Sequence, residues 1–155
     1  MTQHRKADLK GRDYFNLDFP TQFITAGTND DYNKLDMYLT ARTDTSRIYA
    51  VEIKNINRTY GKHNRYGIDY GFQIDRYKID ALWEKWITEG RIPILYVRFS
   101  DWTYAWDIRN IDYRSRAREV ETNDDGQNYG ASKSVSWQTY FYMNEAVWSK
   151  KTNNN

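Results

Sequence analysis

The clearest alternation of apolar and polar positions in the chain lies between residues 34 and 55. In KLDMYLTA (34–41), apolar and polar residues alternate as in a strand whose successive side chains point to opposite faces of a sheet. One face would hold Leu35, Met37 and Leu39, and the other would hold Asp36, Tyr38 and Thr40. The turn-forming residues DTS (44–46) separate this stretch from RIYAVEIKN (47–55), so the two stretches predict a β-hairpin.

The second strand of this hairpin carries an acid and a base among apolar residues. One face would hold Tyr49, Val51 and Ile53, and the other would hold Ile48, Ala50, Glu52 and Lys54. A carboxylate and an ammonium beside buried surface cost stability unless they have a partner or a task. Glu52 and Lys54 are therefore candidate functional residues.

The N-terminal half of the chain contains two further predicted helices and a short strand. The polar N-terminal segment favours a short helix, and QFITAG (22–27) favours a strand. Apolar residues recur at helical spacing within residues 69–90, and Gly90 is a typical stop signal. The apolar stripe of this helix would contain Phe72, Ile79, Leu82, Trp83 and Trp86.

The C-terminal half predicts three more strands. RIPILYVRF (91–99) is a nearly continuous apolar run, which is typical of a strand buried on both faces, and WTYAWDI (102–108) alternates again. The polar segment 109–134 predicts a short basic helix and a loop. VSWQTYFYM (135–143) predicts the last strand, and NEAVWSKK (144–151) a last helix with Asn144 as its N-cap.

This order of elements indicates an α/β domain with a mixed central β-sheet flanked by helices. A chain of 155 residues is the size of one domain, which we place at 1–150 with a disordered tail at 151–155.

Composition narrows the chemistry that this domain can perform. The absence of cysteine excludes disulfides and thiolate metal sites, and 2 histidines disfavour a histidine-rich zinc site, so a bound metal would be a hard cation with oxygen ligands. The net charge of +2 is no general polyanion-binding signature, although a local basic patch would suffice. No apolar stretch approaches the roughly 20 residues that span a bilayer, so we expect a soluble, cytoplasmic protein with no membrane partner.

The predicted hairpin brings carboxylates together at one end. If its strands pair, Asp36 and Glu52 converge, and two neighbouring carboxylates repel each other unless a divalent cation lies between them. The backbone carbonyl of Ile53 could add an oxygen ligand. Lys54 would stand beside the metal, where an ammonium can orient water or stabilise charge on a phosphoryl group.

These residues resemble the PD-(D/E)XK nuclease superfamily, whose fold is called restriction-endonuclease-like. Asp36 matches the first acid of its motif, and Glu52-Ile53-Lys54 matches the E-x-K triplet. Gln73 and Tyr77, four residues apart, match the Q-x-x-x-Y element of the branch that includes recombination-repair exonucleases. The resemblance implies that Asp36 and Glu52 bind Mg²⁺ or Mn²⁺ and that Lys54 is catalytic. It also implies that Gln73 and Tyr77 share a helical face and orient the phosphate or Lys54.

A basic segment follows the E-x-K strand at residues 55–67. Its cations and hydrogen-bonding groups could hold nucleic-acid phosphates beside the metal, or could form an ordinary solvated loop. The candidate contacts are Arg58, Tyr60, Lys62, Asn64 and Arg65. A second candidate contact is YRSRARE, with Arg114, Arg116 and Arg118.

The leading functional hypothesis is a Mg²⁺- or Mn²⁺-dependent nuclease that hydrolyses DNA phosphodiesters, in recombination, repair or phage DNA metabolism. One alternative is a catalytically inactive protein of the same fold that binds nucleic acid or protein through its aromatic surface and the polar loop 121–134. Another alternative is a nuclease that acts on RNA. The oligomeric state stays open, with a homodimer as one option.

Overall fold

A computed structural model describes residues 3–28, 37–60, 71–123 and 133–152. In these residues the helices are α1 (Gln3–Asp18) and α2 (Arg76–Glu89). The strands are β1 (Phe23–Thr28), β2 (Met37–Ala41), β3 (Ile48–Asn55), β4 (Phe72–Asp75), β5 (Ile92–Arg98), β6 (Trp102–Asp107), β7 (Arg118–Asn123), β8 (Lys133–Phe141) and β9 (Trp148–Lys151). Short 3-10 turns span Ile108–Asn110 and Met143–Glu145.

The strands form a large mixed sheet and a small antiparallel sheet. The large sheet has the order β1-β2-β3-β5-β6-β9, in which β3 and β5 are parallel and the other neighbours are antiparallel. The small sheet has the order β4-β8-β7. The predicted α/β class with a mixed sheet is therefore confirmed. Within the described residues, neither helix has the length and apolar character needed to cross a membrane.

The predicted hairpin and its side-chain alternation are also confirmed. β2 and β3 are antiparallel, with Met37 opposite Val51. Val51 belongs to the apolar cluster that includes Phe15 of α1, whereas its neighbour Ala50 belongs to the cluster that includes Ile79 of α2. The sheet thus has α1 on one face and α2 on the other, and each fully buried large apolar side chain contributes about 1.5–3 kcal/mol to folding.

Helix α2 ends where the sequence predicts but begins later. Gly90 has a φ of 67° and follows the last turn, and its N–H donates to the Trp86 carbonyl at 3.0 Å. At the other end, Phe72 lies in β4 and pairs with Phe141 of β8. Gly71, with a φ of 76°, precedes this strand, and a Cβ at Gly71 would lie 2.7 Å from the Phe141 carbonyl oxygen. Strand pairing here overrides the helical spacing of Phe72.

The predicted helices of the C-terminal third are wrong. The described part of segment 109–134 contains a 3-10 turn, a further turn, β7 and the first two residues of β8, but no α-helix. In segment 144–151, Asn144 lies inside a 3-10 turn, and β9 follows as an edge strand paired with β6. The ring of Trp148, in β9, packs 4.8 Å from that of Phe19, so a long-range aromatic contact outweighs the local helical pattern.

The ordered chain also extends past the predicted end of the domain. Lys151 is paired with Trp102 in the sheet. Thr152 is buried, and its hydroxyl donates to the Phe99 carbonyl at 2.8 Å. The predicted tail therefore starts too early, and residues 153–155 lie outside the described residues.

Candidate functional site

Glu52 is the most deeply buried carboxylate in the described residues. Its side chain is 2% exposed and lies on the α2 face of β3, in the strand that pairs with the buried β5. Two ammonium groups contact its Oε1, that of Lys54 at 3.3 Å and that of Lys78 at 3.4 Å. The predicted pair of Glu52 and Lys54 on one face of β3 is thus present. A second lysine, Lys78, contacts the same carboxylate oxygen.

Sequence reasoning missed Lys78, which lies in the first turns of α2. It precedes Leu82 by four residues and therefore shares a helical face with a fully buried side chain. The sequence did contain a signal for Lys78, namely a lysine in line with the apolar stripe of a predicted helix. In the folded protein, this placement allows Lys78 of α2 to form an ion pair with Glu52 of β3.

The electrostatics of the three groups depend on burial and mutual contact. Burial lowers the pKa of Lys54, and the nearby Glu52 carboxylate only partly offsets this effect. Burial alone would also lower the pKa of Lys78, but its contacts with Lys54 and Glu52 raise that pKa above the usual value. Lys54 is therefore the lysine that loses its proton more easily, while Lys78 stays charged beside Glu52.

The predicted metal ligands are only partly described. Asp36 lies outside the described residues, immediately before the first residue of β2. Ile53 pairs with Tyr96 in the parallel ladder, and its side chain packs on the face opposite Glu52. The described part of the chain contains no group of three or more acidic or histidine side chains that could hold a metal ion.

The donors in this region fit a hard cation in chemical type. Glu52 offers a carboxylate, and the neighbouring backbone offers carbonyl oxygens, both of which Mg²⁺ and Mn²⁺ accept. Asp36, the second carboxylate that the sequence predicts for this site, lies outside the described residues.

The prediction that Gln73 and Tyr77 share one helical face is wrong. Gln73 lies in β4, opposite Tyr140, and is exposed to solvent. Tyr77 lies in the first turn of α2 and is 56% exposed. The strand ends between these residues, so their spacing of four no longer brings them together.

The residues predicted to contact nucleic acid have different environments. Arg58 is exposed, and its carbonyl accepts a hydrogen bond from the Ser100 N–H at 2.9 Å. Tyr60 is 6% exposed and its ring packs 5.3 Å from that of Phe99, so this ring belongs to the core. The other three candidates lie outside the described residues, namely Lys62, Asn64 and Arg65.

The three arginines of YRSRARE also have different partners. Arg116 makes two contacts with Glu145, at 2.5 and 2.6 Å. The Arg118 guanidinium lies 4.9 Å from the centre of the Tyr140 ring. Arg114 is exposed and lies 3.6 Å from the Asp80 carboxylate. These arginines therefore have structural partners and do not form one basic helix face.

Comparison with known proteins identifies no relative, since no protein-family model, curated protein or solved structure matches the chain.

Proposed function

We propose that this protein is a divalent-metal-dependent nuclease that hydrolyses DNA phosphodiester bonds. The observation that carries the proposal is the buried Glu52 carboxylate with the Lys54 ammonium at 3.3 Å on the same face of β3. This is the acid–x–lysine arrangement that the sequence motif predicts, with the two side chains in contact. The proposed cofactor is Mg²⁺ or Mn²⁺.

The same proposal includes the restriction-endonuclease-like fold. The hairpin β2–β3, helix α2 and the parallel strand β5 follow one another, and this order supports the finer assignment. The E-x-K triplet ends near the carboxyl end of β3, next to its parallel neighbour. Ligand sites of open α/β sheets often lie at such strand ends.

Each residue of the proposed site has a distinct task. Glu52 and Asp36 would hold the cation, which would activate a water and offset charge on the phosphate. Lys78, anchored on α2, keeps the Glu52 carboxylate in place. Lys54 would orient the attacking water and stabilise the charge that develops on the phosphoryl oxygens as the P–O bond breaks.

The direct test is DNA cleavage by the purified protein. Linear and supercoiled DNA are incubated with Mg²⁺, Mn²⁺ or EDTA, and the products are separated on a gel. We expect cleavage with either metal, none in EDTA, and none for Glu52→Gln. Lys85→Met is the matched control, because Lys85 lies on the same helix and pairs with Glu89 and not with Glu52. Metal-independent cleavage, or full activity of Glu52→Gln, would overturn the proposal.

The second candidate is a binding protein of the same fold without catalytic activity. The observation that favours it is that Glu52 contacts two ammonium groups, as a structural ion cluster would. DNA binding without cleavage under all metal conditions would select this candidate. Cleavage of RNA but not DNA in the same assay would select the RNA-directed alternative.

A further inference from the structure

A cleft of about 400 Å³ lies between α2 and the segment that follows β6. This volume is within the range of small-molecule pockets. The half-buried ring of Trp83 lines the cleft and packs against the apolar cluster that includes Ile111 and Tyr113, two buried residues that also line it. The exposed side chains of Asn110 and Asp112 line the same cleft. The cleft thus combines an aromatic surface with polar groups.

The segment that follows β6 is anchored to several other elements. The Tyr113 hydroxyl donates a hydrogen bond to Asp80 of α2 at 2.6 Å, and the Tyr113 carbonyl accepts one from the Thr139 hydroxyl of β8 at 2.7 Å. The backbone N–H of Arg109 donates to Asp107 Oδ1 at 3.0 Å. A cleft whose walls are already fixed loses little conformational entropy when a ligand binds.

The cations beside the cleft already have carboxylate partners. Arg109 donates from both Nε and Nη2 to Asp107, and its Nη2 lies 2.7 Å from Oδ2. Arg114 Nε lies 3.6 Å from the Asp80 carboxylate. Asp112 adds a further carboxylate to the cleft. Because the charges of both signs are present and largely paired, the cleft does not concentrate anions and favours an uncharged ligand.

Asn110 and Asp112 keep hydrogen-bonding capacity for such a ligand. The Asn110 carboxamide forms no hydrogen bond within the part of the chain that the structure describes. Asp112 Oδ1 accepts a long hydrogen bond from the Ser115 N–H, at 3.4 Å. A carboxylate can accept about four hydrogen bonds, and a carboxamide both donates and accepts. Together they suit a ligand edge that carries both N–H donors and acceptor atoms.

The flat groups around the cleft favour a planar ring. The Trp83 indole offers an aromatic face, and the guanidinium groups of Arg109 and Arg114 are also planar. The central carbon of Arg109 lies 5.1 Å from the centre of the Trp86 ring, which limits the motion of this guanidinium. Unpaired bases stack on aromatic side chains and on guanidinium planes. A sugar ring is not planar and would gain stacking only from the indole.

We propose that this cleft binds one unpaired nucleobase, with the ring on Trp83 and the polar edge at Asn110 and Asp112. Nucleobases are planar and uncharged, and their edges carry donors and acceptors side by side. A free nucleoside and an unpaired base of a single strand present this same chemistry. The site includes neither Glu52 nor Lys54, so the inference does not depend on the nuclease proposal.

The test titrates the protein with four uncharged nucleosides, namely adenosine, guanosine, cytidine and uridine. Isothermal titration calorimetry gives the affinity of wild type and variants. The NMR signal of the Trp83 indole N–H, assigned by its absence in Trp83→Leu, shows whether the ligand enters this cleft. Trp102→Leu is the matched control, because it removes an exposed tryptophan of β6 that does not line the cleft. Thermal melts establish that each variant is folded.

We expect nucleosides to shift the Trp83 signal, and Trp83→Leu to weaken their binding at least about fivefold, as loss of a base–aromatic stack does. Trp83→Phe should restore most of the affinity, and Trp102→Leu should match the wild type. The affinity should be the same at about 50 and about 200 mM salt, because an uncharged ligand releases no counterions.

A second variant keeps the test decisive if Trp83→Leu does not fold. Asn110→Ala/Asp112→Ala changes two exposed side chains and should weaken nucleoside binding about tenfold, because the ligand loses a hydrogen bond to a charged group. Wild-type affinity in this folded double variant would overturn the assignment of the polar edge and with it the proposed site.

Other outcomes would also overturn the site. These are a Trp83 signal that nucleosides do not shift, and equal losses of affinity in Trp83→Leu and Trp102→Leu. Binding of glucose or inorganic phosphate, but not of nucleosides, would assign the cleft to a sugar or a free anion instead.

Short single-stranded DNA, titrated in EDTA, distinguishes the two sources of the base. DNA binding that Trp83→Leu weakens would support the site and assign it to a strand, whereas binding of nucleosides alone would support it as a site for a free ligand. Nucleoside binding by a wild type that does not cleave DNA would support this site and count against the nuclease.

Discussion

Lys78 of α2 places its ammonium 3.4 Å from the carboxylate of Glu52 on β3, and thereby joins a helix to the centre of the mixed sheet. Glu52 also contacts Lys54, its neighbour on the same strand face. One buried carboxylate thus has two ammonium partners, one local in sequence and one distant. The two lysines have different expected roles, and substitutions can separate them.

If the protein is the proposed nuclease, removal of Lys54 should slow DNA cleavage strongly and leave the fold intact. In Lys54→Ala, Glu52 keeps Lys78 as a partner, and the ammonium that is lost is the one whose pKa is lowered by burial, so the free energy of unfolding should fall less than in Lys78→Met. Loss of one preorganised charge near the developing anion typically lowers a rate by about 100- to 1000-fold. Cleavage of DNA under single-turnover conditions measures the rate, and urea denaturation measures stability. A variant that cleaves at the wild-type rate would place the chemistry elsewhere.

Removal of Lys78 should instead lower stability. Lys78→Met keeps most of the side-chain volume but deletes the charge that ties α2 to Glu52. A hydrogen bond to a charged group contributes about 1.5–3 kcal/mol, so we expect a loss in that range in urea denaturation. Lys85→Met, on the same helix, should lose less than about 1 kcal/mol, because its pair with Glu89 is near the surface. Equal losses in both variants would show that Lys78 has no special role.

Glu52→Gln should distinguish a metal site from a structural ion cluster. Without metal, the variant should be less stable than wild type, because two partly buried ammonium groups lose their carboxylate. Mn²⁺ should raise the melting temperature of wild type, by the equivalent of about 2.7 kcal/mol at a concentration 100 times Kd, and should not affect the variant. Thermal melts of both proteins with and without Mn²⁺ measure these effects. A wild type that does not respond to Mn²⁺ would favour the binding-protein alternative.

The ion pair of Arg116 and Glu145 should account for part of the loss in the free energy of unfolding at acid pH. The double contact with Arg116 lowers the pKa of Glu145 below its usual value of 4.5. The stabilisation is therefore fully present above about pH 4.5 and is lost as the pH falls through the lower pKa of the folded protein. Arg116→Ala should lose on the order of 1 kcal/mol at neutral pH and approach the wild type in acid.

The measurement for this pair is urea denaturation at pH values from about 7 to about 3. Arg114→Ala is the control, because Arg114 is an exposed arginine of the same turn that does not contact Glu145 within its described interactions. The difference in the free energy of unfolding between Arg114→Ala and wild type should not change as the pH falls. If the Arg116→Ala difference is constant over this range, Glu145 does not titrate as the structure implies.

The sequence by itself determined the elements whose apolar pattern is local. The alternation at 34–55 predicted the hairpin and assigned Glu52 and Lys54 to one face, and Gly90 predicted the end of α2. These features depend on side-chain periodicity and backbone conformation, which are properties of a few consecutive residues. The mixed α/β class follows from the order of such elements.

Only the tertiary structure decided which side chains from distant segments meet. Lys78 reaches Glu52 because α2 packs on β3, while Gln73 pairs with Tyr140 in the small sheet and Tyr60 is buried against Phe99. Local periodicity states which face of an element is apolar, but not which partner covers it. Long-range strand pairing and aromatic packing supply enough free energy to override local helix propensity, as in β4 and β9.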